Sequence, residues 1–260
     1  MLKFSDENAK IRQLADVPAI AEYLKNDRKI YSFDLLSGHS CPYAHDCQSR
    51  AIVVNGRRKI RDGMFTMFRC FSASQEVLYT NVYNLRKHNY DVLKKLCRDD
   101  EFCSHRFNMY KRILTDLPED AGVVRLHVAG DFFNQQYFEA WMDVARTRSD
   151  ILFYAYTKSL PYWIANRKDC DTIANLVLTA SVGGRRDDLI ESEGLRFAKV
   201  VFEESEADEF ALPIDHDDSH AADPNQKFNN FALLIHGVQP AKSEAGKAVK
   251  ALKGMGSYAR

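Results

Sequence analysis

Six short apolar runs, at 29–36, 122–130, 151–156, 176–181, 197–202 and 231–236, alternate along this chain with segments of helical spacing. Strands separated by helices pair in parallel, because a parallel neighbour is reached only through a crossover long enough to hold a helix. The pattern predicts an α/β fold, a partial parallel TIM-like barrel of about six strands rather than a closed eightfold one. A length of 260 residues and a hydrophobic content of 45% suit one α/β domain over 1–260. Within it, 28–72 holds the first strand, a cysteine loop and an inserted hairpin, 120–237 the remaining strand-helix units, and 238–260 a basic C-terminal tail.

The hairpin is read from two runs flanking Asn55-Gly56, the strongest short-range turn signal a sequence offers. Ser72 or Ser74 can cap a long helix to about 96, and a second helix is expected over 100–114. A short helix is expected at 15–25, and 215–220, with three acids in six residues, reads as an exposed loop.

Lys plus Arg and Asp plus Glu number 36 each, so no global basic field supports nucleic-acid binding. No stretch approaches the roughly 20 apolar residues that cross a bilayer, and the first residues carry no apolar leader. The expectation is a soluble, cytoplasmic protein with no membrane partner.

Cys41, Cys47 and Cys70 follow the first strand, and a hairpin between the second and third lets Cys70 rejoin the other two. Clustered thiols in a reducing compartment point to metal. Three thiolates suit a 4Fe-4S cluster, each holding one iron and leaving the fourth iron for a small ligand or a histidine such as His236. Zinc is the alternative, since His39, Cys41, His45 and Cys47 lie close enough in sequence for a tetrahedral site. Cys97 and Cys103 repeat the spacing of the first pair, but with Cys170 they read better as small buried hydrophobes.

Parallel α/β folds carry their chemistry at the C-terminal ends of strands. Those ends here bear Gly130-Asp131, Thr157-Lys158, Ser181, Glu203 and His236. Asp131 is poorly explained by packing, although it can also cap the next helix. Lys158 can hold a substrate carboxylate or phosphate, and Tyr156 is the aromatic nearest the mouth. His127 either faces the interior or is a packed polar residue, and Gly183-Gly184-Arg185-Arg186 is a flexible basic loop able to cradle an anion.

This order of strand, cysteine loop, helices and a strand ending in Val128-Ala-Gly-Asp-Phe-Phe133 resembles the radical S-adenosylmethionine (SAM) superfamily. Its members are six-stranded partial barrels with three cysteines on a 4Fe-4S cluster and a Gly-Gly-Glu motif after the second strand. The resemblance implies that Gly130 and Asp131 would meet the methionine amino group of SAM; Tyr156, Ser181 and His236, read from the strand ends, are further cofactor-binding candidates, and Asp131 and Lys158 catalytic ones. The cysteine gaps of five and 22 residues depart from the superfamily's three and two, and Asp131 is shorter than Glu.

A closer resemblance is to a phage family named for gene product eighty-eight of a mycobacteriophage. It is carried by Cys41-Pro42, Cys47, Cys70-Phe-Ser, the run from Val124 to Phe133, and Phe153-Tyr-Ala-Tyr-Thr-Lys-Ser159, across about residues 30–240. Members often end with further cysteines, which 236–260 lack. The resemblance implies an iron-sulfur, radical-SAM-like barrel, in the host cytoplasm if a phage encodes it, but carries over no reaction; reductive or radical chemistry at the open iron, with an unknown small-molecule substrate or redox partner, is the expectation read from the thiols. A non-catalytic electron-transfer or redox-sensing protein, or a zinc-stabilised binding module, are the alternatives.

Overall fold

The structure, a computed structural model, describes residues 1–97 and 104–252. Cys103, the first residues of the helix expected from 100 and the end of the basic tail lie outside the described residues.

Each of the six apolar runs forms a strand: β2 (Lys29–Phe33), β5 (Ala121–Leu126), β6 (Leu152–Thr157), β7 (Leu176–Ser181), β8 (Phe197–Val201) and β9 (Phe231–Leu234). They pair in parallel in that order, each new strand joining the edge left by the last. The sequence did not foretell β1 (Ser5–Asp6), which extends the sheet antiparallel to β2 and makes it seven-stranded, with β1 at one edge and β9 at the other. The sheet is mixed, mostly parallel and open, rather than closed on itself.

Successive right-handed crossovers in one direction put the connecting helices on one face. On that face Val124 and Leu126 of β5 and Phe153 and Ala155 of β6 share a core with Met109, Ile113, Phe138 and Trp141 of the helices Ser104–Asp116 and Gln135–Thr147. The alternate residues, Val123, Leu152, Tyr154 and Val177, face the other way onto Ile11, Leu14 and Ile20. Both faces are therefore apolar, as a buried parallel sheet requires.

The hairpin forms as read, with β3 (Ser49–Val54) and β4 (Arg57–Asp62) joined through Asn55 at φ 51° and Gly56 at φ 73°. Two left-handed turn residues match the twist of the strands. The long helix expected to 96 is two, Phe71–Leu78 and Thr80–Lys95, because Tyr79 is extended at φ −111° and ψ 109°. Arg58 of β4 spans the break, donating to Val77 O and, at 2.7 Å, to Thr80 Oγ1. Among the described residues no helix is long and apolar enough to cross a membrane.

Candidate functional site

The C-terminal ends of the strands open into a cavity of about 650 Å³. Cys47, Cys70, His127, Tyr156, Lys158, Ser181 and His236 line it, so the structure brings seven of the residues singled out from the sequence to one chamber. Cys41 lies just behind the wall, close enough that Cys47, Cys70 and Asp131 all act on its charge. The exposed Glu203 instead precedes a short acidic helix.

Backbone hydrogen bonds explain how three cysteines so spaced converge. The hairpin brings the chain back so that Met67 N donates to Asp46 O at 2.8 Å, and Thr66 Oγ1 to Gln48 O at 2.9 Å. His45 N and Asp46 N both donate to Gly183 O, pinning the cysteine loop to the end of β7. All three thiols are free and half-buried. Burial, with the neighbouring acid and thiols, pushes the Cys41 thiol well up, and burial pushes Cys47 up to about 11 despite the ammonium of Lys158. Raised in this way, the Cys41 and Cys47 thiols keep their protons at neutral pH.

The zinc set of the sequence reading is not assembled. His39 Nε2 lies 3.0 Å from Ala51 O, and His45 pairs with Asp46 at 2.7 Å while its ring stacks on Phe65. Among the described residues no three His, Cys, Asp or Glu side chains form a group able to hold a single ion.

Lys158 is 7% exposed, and its ammonium donates to Ser181 Oγ (2.6 Å), Ser181 O (3.2 Å) and Val182 O (2.8 Å). All three acceptors are neutral. This buried charge is thus left to act on Cys47 and Asp131, the groups on whose protonation it bears.

Asp131, 4% exposed, does not line the cavity. Its carboxylate accepts from Thr157 Oγ1 (2.6 Å), Lys158 N (2.8 Å) and Phe132 N (2.7 Å), which ties the loop after β5 to the loop after β6. Gly130 precedes it at φ +90°, where an added Cβ would sit 2.5 Å from Ser40 Oγ. The helix-capping alternative falls to Asn134, whose side chain accepts from Tyr137 N.

Two readings of the sequence need correction, and that of Cys97 and Cys170 as packing residues holds. The segment 215–220 is not an exposed loop: Asp215 and Asp218 are fully buried, because Lys10, Arg125, Tyr154 and Tyr156 converge on them. The Gly183–Gly184 amides, offered as an anion cradle, are spent on the Asp187 carboxylate at 2.7 and 2.9 Å. Cys97 and Cys170 pack beside Met109 and Met142, each at 3.7 Å, away from the chamber. Sequence reasoning missed Lys10 and Asp218 on the cavity wall, since nothing local marks a lysine in an N-terminal turn or an aspartate among acids.

These features define a mixed α/β protein with a cavity at the C-terminal ends of the parallel strands, two thiols on its wall and a third just behind it. The chain belongs to the gene product 88 family, whose model matches residues 2–252. It is similar to the Gene 88 protein of Mycobacterium phage D29, at 27% identity over 95 residues, covering 34% of this chain and 38% of that protein. No solved structure matches.

Proposed function

We propose that this protein is an iron-sulfur protein that holds a 4Fe-4S cluster on Cys41, Cys47 and Cys70 and carries out reductive or radical chemistry on a small molecule in the adjoining chamber. The observation that carries the reading is the convergence of three free thiols, from positions up to 29 residues apart, at one end of that chamber. A tetrahedral zinc ion would draw its donors to within roughly 4 Å of one another, as Zn–S bonds of about 2.3 Å require. A cubane needs three thiolates around one space, and the effect of Cys47 and Cys70 on the charge of Cys41 supports that reading, while among the described residues no three such side chains are placed to hold a metal ion. The consecutive strand order supports the likeness to a radical-SAM partial barrel.

Bound there, such a cluster supplies one electron at low potential through an iron that protein thiols leave open. The chain's own contribution is positional. Asp131 fixes the two loops that carry the chamber's edge, Lys158 sets a buried positive charge beside the thiols, and Val200, Leu233 and Ile235 give the chamber an apolar stretch of wall. Asp131, with its carboxylate already holding three donors, serves the scaffold better than it would an amino group of SAM.

The test is the electron paramagnetic resonance spectrum of the anaerobically loaded, dithionite-reduced protein, with and without SAM. A reduced-cluster signal supports the reading. A SAM-dependent change with release of deoxyadenosine would make SAM a second cofactor, and absence of any iron signal would refute the proposal.

A further inference from the structure

The chain's charge is balanced overall but not along its length. Between 48 and 90 stand eight Lys and Arg against two acids, in a sequence whose 36 Lys and Arg match its 36 Asp and Glu. Most of that excess falls on the β3–β4 hairpin, where Arg50, Arg57, Arg58, Lys59 and Arg61 meet one acid, Asp62. That carboxylate is already engaged, by Arg69 at 2.6 Å and by Ser49 Oγ at 2.9 Å.

The register sorts these cations. Residues paired across an antiparallel ladder share a face, so Arg50 with Arg61, Ile52 with Lys59 and Val54 with Arg57 make up one face of the hairpin. On the other face Ser49 and Ala51 are buried where the hairpin packs on the helix Phe71–Leu78, and Arg58 is held by Thr80. The first face is turned to solvent, with Arg50, Arg57, Lys59 and Arg61 all exposed. Among the described residues none of these four is joined to an acid by an ion pair or hydrogen bond. Arg50 directly opposite Arg61 is a like-charge pair, which weakens a hairpin, and an anion from outside the chain would relieve it.

Spacing and composition select that anion. Arg57, Lys59 and Arg61 alternate along β4 and so stand roughly 7 Å apart, two of the steps of about 3.4 Å between phosphates along one strand of a duplex. Three of the four cations are arginines, whose planar fork suits phosphate. The face carries no aromatic side chain and no methionine, the anchors on which protein interfaces and stacked single strands rely. A two-stranded ribbon is, moreover, an element that the major groove of B-form DNA admits, whereas that of duplex RNA is too narrow.

We propose that the face of the hairpin bearing Arg50, Arg57, Lys59 and Arg61 is a docking surface for duplex DNA, held through its phosphates. None of the four lines the chamber, so this surface stands apart from whatever the thiols hold.

Fluorescence anisotropy of a labelled duplex of about 20 base pairs, titrated with the full chain between about 50 and 200 mM salt, tests it. At about 0.9 counterion released per neutralised phosphate, four contacts give log K a slope of about −3.6 against log salt, a loss of roughly 150-fold in affinity across that range. Arg50→Gln, Arg57→Gln, Lys59→Gln and Arg61→Gln should each make the slope shallower by about 0.9, and the fourfold variant should lose duplex binding. Arg148→Gln, which removes a surface arginine paired with Asp150 at 2.9 Å, should leave binding as it was. Undiminished binding in a folded fourfold variant, or no salt-dependent binding by the unsubstituted chain, overturns the inference. If the fourfold variant does not fold, the slopes of the single variants decide. Tighter binding to the single strand, or to polyglutamate of equal charge, overturns it too, and assigns the face to an unpaired strand or to an acidic protein.

Discussion

Lys158 gives its backbone N–H to Asp131 Oδ2 at 2.8 Å while its ammonium turns away onto Ser181 and Val182. One residue thereby closes the loop that Asp131 organises and sets a cation beside Cys47, joining the scaffold of the chamber to its electrostatics.

If that cation faces an anionic cluster, it favours the reduced state. Lys158→Met in the iron-loaded protein should make reduction about tenfold less favourable, a fall of about 59 mV for one electron, and Lys158→Arg should largely restore it. Redox titration followed by visible absorbance reads the change. An unchanged potential at full iron content would show that Lys158 only packs.

Asp131 should matter to the fold as much as to the site. Asp131→Ala leaves Thr157 Oγ1 and the amides of Lys158 and Phe132 without their buried acceptor. Urea unfolding should show a loss of about 3 kcal/mol. Gly130→Ala, forced against Ser40 Oγ and Leu35 at φ +90°, should lose at least as much as a typical glycine position of that kind, about 1 kcal/mol. Wild-type stability in both variants would mean the loop is not held as described.

His127, buried, and His236, half-buried on the cavity wall, predict the acid limb of stability. Burial lowers His127 to about 3 and His236 to about 4, whereas the unfolded chain protonates both near 6.5. Between those values the unfolded state binds the extra protons, so stability is full above about pH 6.5 and falls as the pH drops toward 4. The slope is up to about 1.4 kcal/mol per pH unit for each histidine. Denaturation of His127→Phe across that range should show a shallower fall, and an identical slope would remove His127 from the account.

The part of the fold legible in the sequence is the part set by local pattern. The strands announced themselves because a buried parallel strand must be apolar on both faces, and the hairpin because Asn55 and Gly56 alone tolerate the turn its strands demand. Convergence of Cys70 on Cys41 and Cys47 followed from that hairpin. What stayed hidden depends on partners far along the chain. Asp218 reads as one more loop acid until Lys10, 208 residues away, and Arg125 are seen to meet it. The break at Tyr79 is likewise marked by an arginine from β4 rather than by any residue of the helix.

Cysteine substitution separates ligands from packing. Cys41→Ala, Cys47→Ala and Cys70→Ala should each lose iron, whereas Cys97→Ala and Cys170→Ala, whose sulfurs touch Met109 and Met142, should keep it. Stoichiometric iron in Cys70→Ala would break the assignment.

The most direct measurement is iron, sulfide and zinc analysis of the anaerobically purified protein. About four irons and four sulfides per chain, as one 4Fe-4S cluster requires, is the predicted result. Zinc alone, with neither iron nor sulfide, would contradict the account.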